Sequence, residues 1–120
     1  MQGFPKRGEI YLVNFDRTIG SEIKKMRPAM VIQNDIGNRY SPVTIVAAVT
    51  SQKEDGRVLY PTEVAIAAAI TGLPKNSIVL LNQLRTTDRT RLAKKIGNVP
   101  AETLREINRA LAISLGLIEL

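Results

Sequence analysis

The stretch from Met26 to Gln52, MRPAMVIQNDIGNRYSPVTIVAAVTSQ, decides the fold because it holds two apolar runs separated by a polar segment. The runs, Ala29 to Gln33 and Val43 to Thr50, are nearly continuous in apolar residues and predict two central strands. The segment between them contains turn-forming residue types, so we predict an antiparallel pair joined by a polar loop. In such a pair the start of the first strand and the end of the second share one edge, which makes Arg27 and Thr50 neighbours in space.

The rest of the chain predicts further short strands. They span Glu9 to Phe15, Thr62 to Ala67, Ser77 to Leu81 with a continuation to Arg85, and Ala93 to Val99. The second of these conflicts with the alanine-rich run AIAAAI, whose composition favours a helix. Asp88 is a candidate N-cap for a short helical turn, and Gly97 weakens the last strand.

The carboxy-terminal segment predicts one amphipathic helix. Pro100 suits its first turn, and apolar residues recur at helical spacing at Leu104, Ile107, Leu111, Leu115 and Ile118. Several short strands and one terminal helix indicate a mainly β domain, and the 120 residues fit a single domain.

The composition limits the chemistry that the chain can perform. The sequence contains no cysteine and no histidine, which removes the commonest general base and the thiolate and imidazole ligands of metals. We therefore expect no metal site and no cofactor. Catalysis would depend on Arg, Lys, Asp, Glu, Ser, Thr and Tyr.

The net charge of +6 favours binding to a polyanion, with nucleic acid as the first candidate. A protein that is basic without such a partner explains the charge equally well. The amino terminus lacks the apolar core of a signal peptide, and the longest apolar run, Val64 to Ile70, is too short to span a bilayer. We expect a soluble, cytoplasmic protein that makes no membrane contact.

Several motifs resemble those of the MazF/PemK family of toxin endoribonucleases. RPAMVIQNDIGN followed by TIVAAVTSQ is similar to the family's central motif, and KRGEIYLVNF, GSE and NSIVLLNQLRTTDRTRL extend the match on both sides. With the closing helix ALAISLGLIEL the resemblance covers nearly all of the chain. It implies a small SH3-like β-barrel with the helix packed on it, forming one toxin domain over residues 1–120.

The resemblance also implies a function. Members of the family are metal-independent, sequence-specific endoribonucleases that cut single-stranded RNA and serve as toxins of type II toxin-antitoxin pairs. It places the catalytic arginine at Arg27 and the catalytic threonine at Thr50. The expected partners are single-stranded RNA, a second copy of the chain, and a cognate antitoxin of the MazE kind.

These two residue types suit RNA cleavage through the 2′-hydroxyl. The planar fork of an arginine matches phosphate oxygens, and a threonine hydroxyl can donate to another phosphate oxygen. A guanidinium stays protonated, so we assign Arg27 electrostatic stabilisation and leave open whether it also acts as an acid. Taken alone, the residues favour a structural alternative, in which Arg27 is a solvated edge charge and Thr50 a good strand former.

Further residues are candidates for RNA binding: Phe15, Ser21, Glu22, Lys24, Asn34, Gln52, Asn82 and Gln83. The resemblance places the GSE loop at the substrate groove, although a solvated loop is the alternative. The amides of Asn82 and Gln83 could read base edges. Asn82 departs from relatives that carry an acidic residue there, which leaves the base preference open. Phe15 or Tyr60 could each stack on one base.

Two other functions compete with RNA cleavage. The same barrel in related toxins inhibits gyrase, a protein target, without cutting RNA, and a plain RNA-binding barrel would use the same basic surface. The pairing of Arg27 with Thr50 favours cleavage over both alternatives.

Overall fold

The structure, a computed structural model, describes residues 3–15, 26–53 and 56–120. Within these ranges the strands are β1 (Glu9–Val13), β2 (Arg27–Val31), β3 (Val43–Ser51), β4 (Glu63–Ile66), β5 (Ser77–Asp88) and β6 (Leu92–Asn98). The helices are α1 (Asp35–Tyr40), α2 (Ala68–Thr71) and α3 (Ala101–Ser114), and a 3₁₀ turn, Arg89–Arg91, connects β5 to β6.

The six strands form one antiparallel sheet in the order β4-β5-β3-β2-β1-β6. The mainly β fold with a carboxy-terminal helix is therefore confirmed. Across the described ranges, β4 and β6 do not pair with each other, so the sheet is barrel-like in outline but is not closed. The predicted central position of β2 and β3 is also confirmed, since each lies between two other strands.

Each face of the sheet buries its own apolar cluster, because successive side chains of a strand point to opposite faces. On one face, Ile10, Met30 and Ala47 pack with Ile107 and Ala110 of α3. Complete burial of a side chain as large as Met30 contributes about 1.5–3 kcal/mol. The opposite face carries a smaller cluster, formed by Tyr11, Val13, Ala29, Val31 and Val46 with Phe15 and Leu92 partly buried against it. This second face holds the candidate site.

The connection between β2 and β3 differs from the predicted loop. It contains the helix α1, whose N-cap is Asn34: the side-chain oxygen of Asn34 accepts a hydrogen bond from the backbone N–H of Gly37 at 2.7 Å. The residue types that form turns are also those that cap helices, so the same composition fits both structures. β2 begins at Arg27 and ends at Val31, two residues earlier than predicted at each end.

The segment with conflicting signals contains both a strand and a helix. β4 confirms the predicted strand, and part of the alanine-rich run forms α2 directly after it. The carbonyl oxygen of Thr71, in α2, approaches Gly97 of β6 so closely that a Cβ at Gly97 would collide with it. Glycine thus weakens β6 locally but permits α2 to pack on it.

Two further predictions concern where helical segments begin and end. The cap at Asp88 is confirmed, since its carboxylate accepts a hydrogen bond from the backbone N–H of Thr90 at 2.9 Å. The predicted helical stripe is too long: α3 ends at Ser114, and Leu115 and Ile118 lie beyond it with 55% and 39% of their surface exposed. None of the helices in the described ranges is long and apolar enough to cross a membrane.

Candidate active site

The register of β2 and β3 brings Arg27 and Thr50 together. Ala29 pairs with Ala48 and Met30 with Ala47 in an antiparallel ladder. The same register continued along both strands sets Arg27 opposite Thr50, and the twofold alternation of side chains puts both on the face away from α3. The predicted juxtaposition of the two residues is confirmed by this pairing.

Arg27 and Thr50 are exposed and line one cleft of about 410 Å³. The other residues that form its walls are Phe15, Pro28, Val46, Ala48, Val49, Leu80, Gln83, Leu84 and Arg85. The guanidinium of Arg27 donates a hydrogen bond to the carbonyl oxygen of Met26 at 3.1 Å. A cation and a hydroxyl donor therefore share an open, largely apolar cleft with two further polar side chains.

A wide irregularity in β5 exposes the amide side chains of Asn82 and Gln83 beside this cleft. Ala47 of β3 pairs with Leu84, whereas the next residue, Ala48, pairs with Leu80. The intervening β5 residues, Leu81 to Gln83, have no partner on β3 and bulge from the ladder. Bulges commonly redirect side chains near functional sites. Here Asn82 and Gln83 are both exposed, and Gln83 borders the same cleft as Thr50.

A larger groove continues from Thr50 past the end of β3. It has a volume of about 1390 Å³ and is lined by Ser51, Gln52, Lys53, Lys75 and Asn76, among others, with Asn82 and Gln83 on one wall. Arg57, Tyr60 and Glu63 form another part of its wall. The groove therefore connects Gln52 and both amides to the Arg27 cleft through Thr50.

The charges around these two spaces are mostly positive. Arg27, Lys53, Arg57, Lys75 and Arg85 line them, and the single acidic side chain among the described lining residues is Glu63. Glu63 accepts hydrogen bonds from Arg57 at 3.0 and 3.3 Å. The Arg57 guanidinium, together with the backbone N–H of Tyr60, lowers the pKa of Glu63, which therefore stays ionised and paired. The surface is suited to bind an anion.

The structure separates the predicted RNA-binding residues into groups. Phe15, Gln52, Asn82 and Gln83 line the cleft or the groove. Asn34 does not border either space, and its side chain caps α1. Ser21, Glu22 and Lys24 lie outside the described residues.

Arg85 also lines the cleft, although the sequence singled it out only as the end of a predicted strand. It lies two positions after Gln83, and its guanidinium carbon lies 4.5 Å from the centre of the Phe15 ring. Residues two apart in a strand share a face, so the position of Gln83 carried a signal for Arg85. The contact between Arg85 and Phe15 joins β5 to the residues that follow β1. A local sequence pattern does not reveal such a contact.

The fold and the site define a mainly β protein with an exposed cleft in which a cation and a hydroxyl lie together. Residues 6–115 match the family described as PemK-like, MazF-like toxins of type II toxin-antitoxin systems. The chain belongs to this family.

Individual relatives agree with this assignment. The chain is 45% identical to the endoribonuclease EndoA of Bacillus subtilis over 114 residues, which cover 95% of this chain and 97% of the relative. It is 42% identical to the endoribonuclease MazF of Staphylococcus saprophyticus over 93% of this chain and 92% of the relative. Among solved structures, an endoribonuclease from Mycobacterial species in complex with its cognate antitoxin has a TM-score of 0.75 at 26% identity, over 97% of this chain and 99% of that one.

Proposed function

We propose that this protein is an endoribonuclease that cuts single-stranded RNA at a specific sequence, without a metal ion, as the toxin of a type II toxin-antitoxin pair. The observation that carries the proposal is that Arg27 and Thr50, from the paired strands β2 and β3, line the same cleft. Identity of 45% to an endoribonuclease over nearly the whole chain supports the same reaction. The whole chain from residue 1 to 120 then forms one toxin domain.

In the proposed reaction, the 2′-hydroxyl of the RNA attacks the adjacent phosphorus and expels the 5′-oxygen of the next nucleotide. Negative charge accumulates on the phosphorane oxygens as the bond forms. The Arg27 fork stabilises that charge and the Thr50 hydroxyl donates to another oxygen, the kind of preorganised donor that acts most strongly in a transition state. Arg27 thus provides electrostatic stabilisation and does not act as the general base.

Base recognition is assigned to the amide side chains beside the cleft. Asn82 and Gln83 bulge from β5 and Gln52 lies on the groove wall, so each can present a donor and an acceptor to an unpaired base. The proposed RNA path also includes Phe15 and the loop residues Ser21, Glu22 and Lys24. Asn34 contributes only indirectly, through the cap of α1.

The proposed partners follow from charge and from the structural relatives. The net charge of +6 would attract an acidic antitoxin segment into the groove. An antitoxin that binds in this groove must block RNA cleavage. Co-expression and pull-down identify the complex, and a bound antitoxin that leaves cleavage intact would contradict the blocking model.

We also propose that two chains pair as a homodimer, because a domain of this size gains stability from burial against a second copy. Light scattering at micromolar concentration should give twice the chain mass of 13.2 kDa. The chain mass alone at every concentration would contradict the dimer. Because the proposed substrate is single-stranded RNA of the cell, the proposed location is the cytoplasm.

The decisive experiment is incubation of the purified protein with a long RNA of mixed sequence in EDTA, followed by denaturing electrophoresis. We expect a few discrete fragments, and the Arg27→Ala variant purified in the same way should leave the RNA intact. Full-length RNA with the unchanged protein would refute the proposed activity. It would favour a binding module that acts on a protein target or holds RNA without cutting it.

A further inference from the structure

Arg85, one of the two cations among the described residues that line the cleft, is held by an aromatic ring. Its guanidinium carbon lies 4.5 Å from the centre of the Phe15 ring, well within the distance for a cation–π contact. No described residue accepts a hydrogen bond from Arg85, whose side chain is exposed. The aromatic face thus fixes the cation and leaves its N–H donors available to a ligand.

The position of Arg85 on the sheet separates it from Thr50. Arg85 pairs with Val46 on β3, four residues before Thr50. At the rise of a β-strand, four residues correspond to about 13 Å. Arg85 therefore borders the same cleft as Arg27 and Thr50 but is displaced along it.

We propose that Arg85, held by Phe15, binds an RNA phosphate next to the one that is cut. The inference rests on the proposed function, since it assigns a second phosphate position to the same substrate. A guanidinium is the side chain best matched to phosphate oxygens, and its displacement from Thr50 along the cleft assigns it to a phosphodiester other than the one that is cut. Arg85 is then a substrate-binding residue, and Phe15 is a positioning residue that acts through it.

This assignment changes the role predicted for Phe15. The Phe15 ring is partly buried against the apolar cluster on this face of the sheet, and the guanidinium of Arg85 covers part of its remaining surface. A base that stacked on the part of Phe15 covered by Arg85 would have to displace the guanidinium. The ring therefore supports a cation for the RNA backbone and does not bind a base directly.

The test measures binding to a pool of random-sequence 2′-O-methyl RNA, which cannot be cut through the 2′-oxygen. Phosphate contacts do not depend on sequence, so the pool reports Arg85 without a known recognition word. We expect Arg85→Met to lower the affinity roughly tenfold at low salt. The slope of log affinity against log salt should become shallower by about 0.7, the value for one contact to single-stranded nucleic acid.

Arg105→Met is the matched control. Arg105 is an exposed arginine on α3, which packs against the opposite face of the sheet, and its loss changes the net charge equally. Affinity and slope in Arg105→Met should stay near those of the unchanged protein. Equal effects in the two variants would show that only overall charge matters and would overturn the proposal.

The Phe15→Leu variant tests whether the ring acts through Arg85. We expect it to weaken binding when Arg85 is present and to have no further effect in the Arg85→Met background. An additional loss of roughly fivefold or more in the double variant would indicate base stacking on Phe15 and overturn its positioning role. Thermal unfolding of each variant confirms that the fold is kept.

Neutralising the RNA phosphates one at a time shows which of them Arg85 contacts. In an RNA that carries the mapped cleavage sequence and a 2′-deoxy nucleotide at the cut, one phosphate at a time is replaced by an uncharged methylphosphonate. The penalty of Arg85→Met should vanish when a neighbouring phosphate is neutral. If it vanishes only at the scissile phosphate, the assignment to a neighbour is wrong. Cleavage of unmodified RNA is measured separately, so loss of the proposed activity and loss of the Arg85 contact are distinguishable.

Discussion

The side-chain oxygen of Asn38 accepts a hydrogen bond from the hydroxyl of Thr44 at 2.7 Å, and both residues are completely buried. The same oxygen accepts a hydrogen bond from the Gln33 side chain at 3.0 Å, and the Asn38 amide donates to the Gln33 carbonyl at 2.9 Å. This network ties α1 to the end of β2 and the start of β3. It therefore stabilises the connection that sets the register of Arg27 against Thr50.

Asn38→Ala should be strongly destabilising, because it leaves the Thr44 hydroxyl buried without its partner and removes two hydrogen bonds of the half-buried Gln33. The expected loss in the free energy of unfolding is about 2–4 kcal/mol. Chemical denaturation measures it, and Asn108→Ala, at an exposed position of α3, is the control, with an expected change within about 0.5 kcal/mol. Equal stability of the two variants would mean that the network does not support the connection.

The part of the fold that the sequence could predict is the part that rests on apolar patterning. The runs that became β2 and β3 predict two central strands, and their antiparallel pairing alone is enough to bring Arg27 to Thr50. The helix α1 was missed because caps and turns use the same polar residues. The helix is stabilised by the buried hydrogen bond that Thr44 donates to Asn38, a contact that the composition of the segment does not reveal.

The candidate site was predictable to a similar extent. Residues of one strand pair could be placed from sequence, and the amides of Asn82 and Gln83 could be singled out by their chemistry. Their exposure beside the cleft depends on the bulge in β5, and the contact of Arg85 with Phe15 joins β5 to the residues after β1, a strand that is not adjacent to β5 in the sheet. Both features arise from tertiary packing, so single-sequence patterns did not indicate them.

Tyr11 should make stability depend on alkaline pH. Burial, with the hydrogen bond that its hydroxyl donates to Glu9, raises the pKa of Tyr11 from 10.0 to about 12. The folded protein holds this proton more tightly than the unfolded chain, so the stabilisation is complete below pH 10 and is lost as the pH rises towards 12.

Tyr11→Phe isolates this effect. At neutral pH the variant should be less stable by about 1 kcal/mol, the usual contribution of one hydrogen bond. Between pH 10 and 12 the difference between the two proteins should shrink, because only the unchanged protein loses the Tyr11 proton. Denaturant unfolding at several pH values checks this, and a difference that stays constant over that interval would contradict the raised pKa.

The catalytic assignment predicts that Arg27→Ala and Thr50→Ala each lower the rate of cleavage by at least about 100-fold with the fold intact. Arg27→Lys should also be poor, since an ammonium keeps the charge but loses the planar fork. Initial rates on a mapped RNA measure these effects, with Arg105→Ala as an exposed arginine outside the cleft for control. Unchanged rates in both alanine variants would remove the assignment, and near-normal rates in Arg27→Lys would show that only a diffuse charge is needed.

The final prediction concerns the nucleophile. The chain has no histidine and no cysteine, so a water molecule would need activation by a carboxylate such as Glu22 or Asp35. Asp35 lies on α1, where its carboxylate accepts hydrogen bonds from the backbone N–H of Arg7 at 2.8 Å and from the Asn38 side chain at 3.3 Å, and it does not line the cleft. The 2′-hydroxyl of the substrate already stands beside the phosphate and needs no such positioning.

Replacing the nucleotide on the 5′ side of the cut by its 2′-deoxy form should therefore abolish cleavage. Binding should persist, because the phosphate and base contacts elsewhere are unchanged. The unmodified RNA should give one fragment ending in a 2′,3′-cyclic phosphate and another beginning with a 5′-hydroxyl, which mass spectrometry identifies. A deoxy substitution one nucleotide further along is the control and should leave cleavage possible. Cleavage of the first deoxy substrate, or loss of activity in EDTA, would assign the attack to water or to a metal ion and not to the RNA itself.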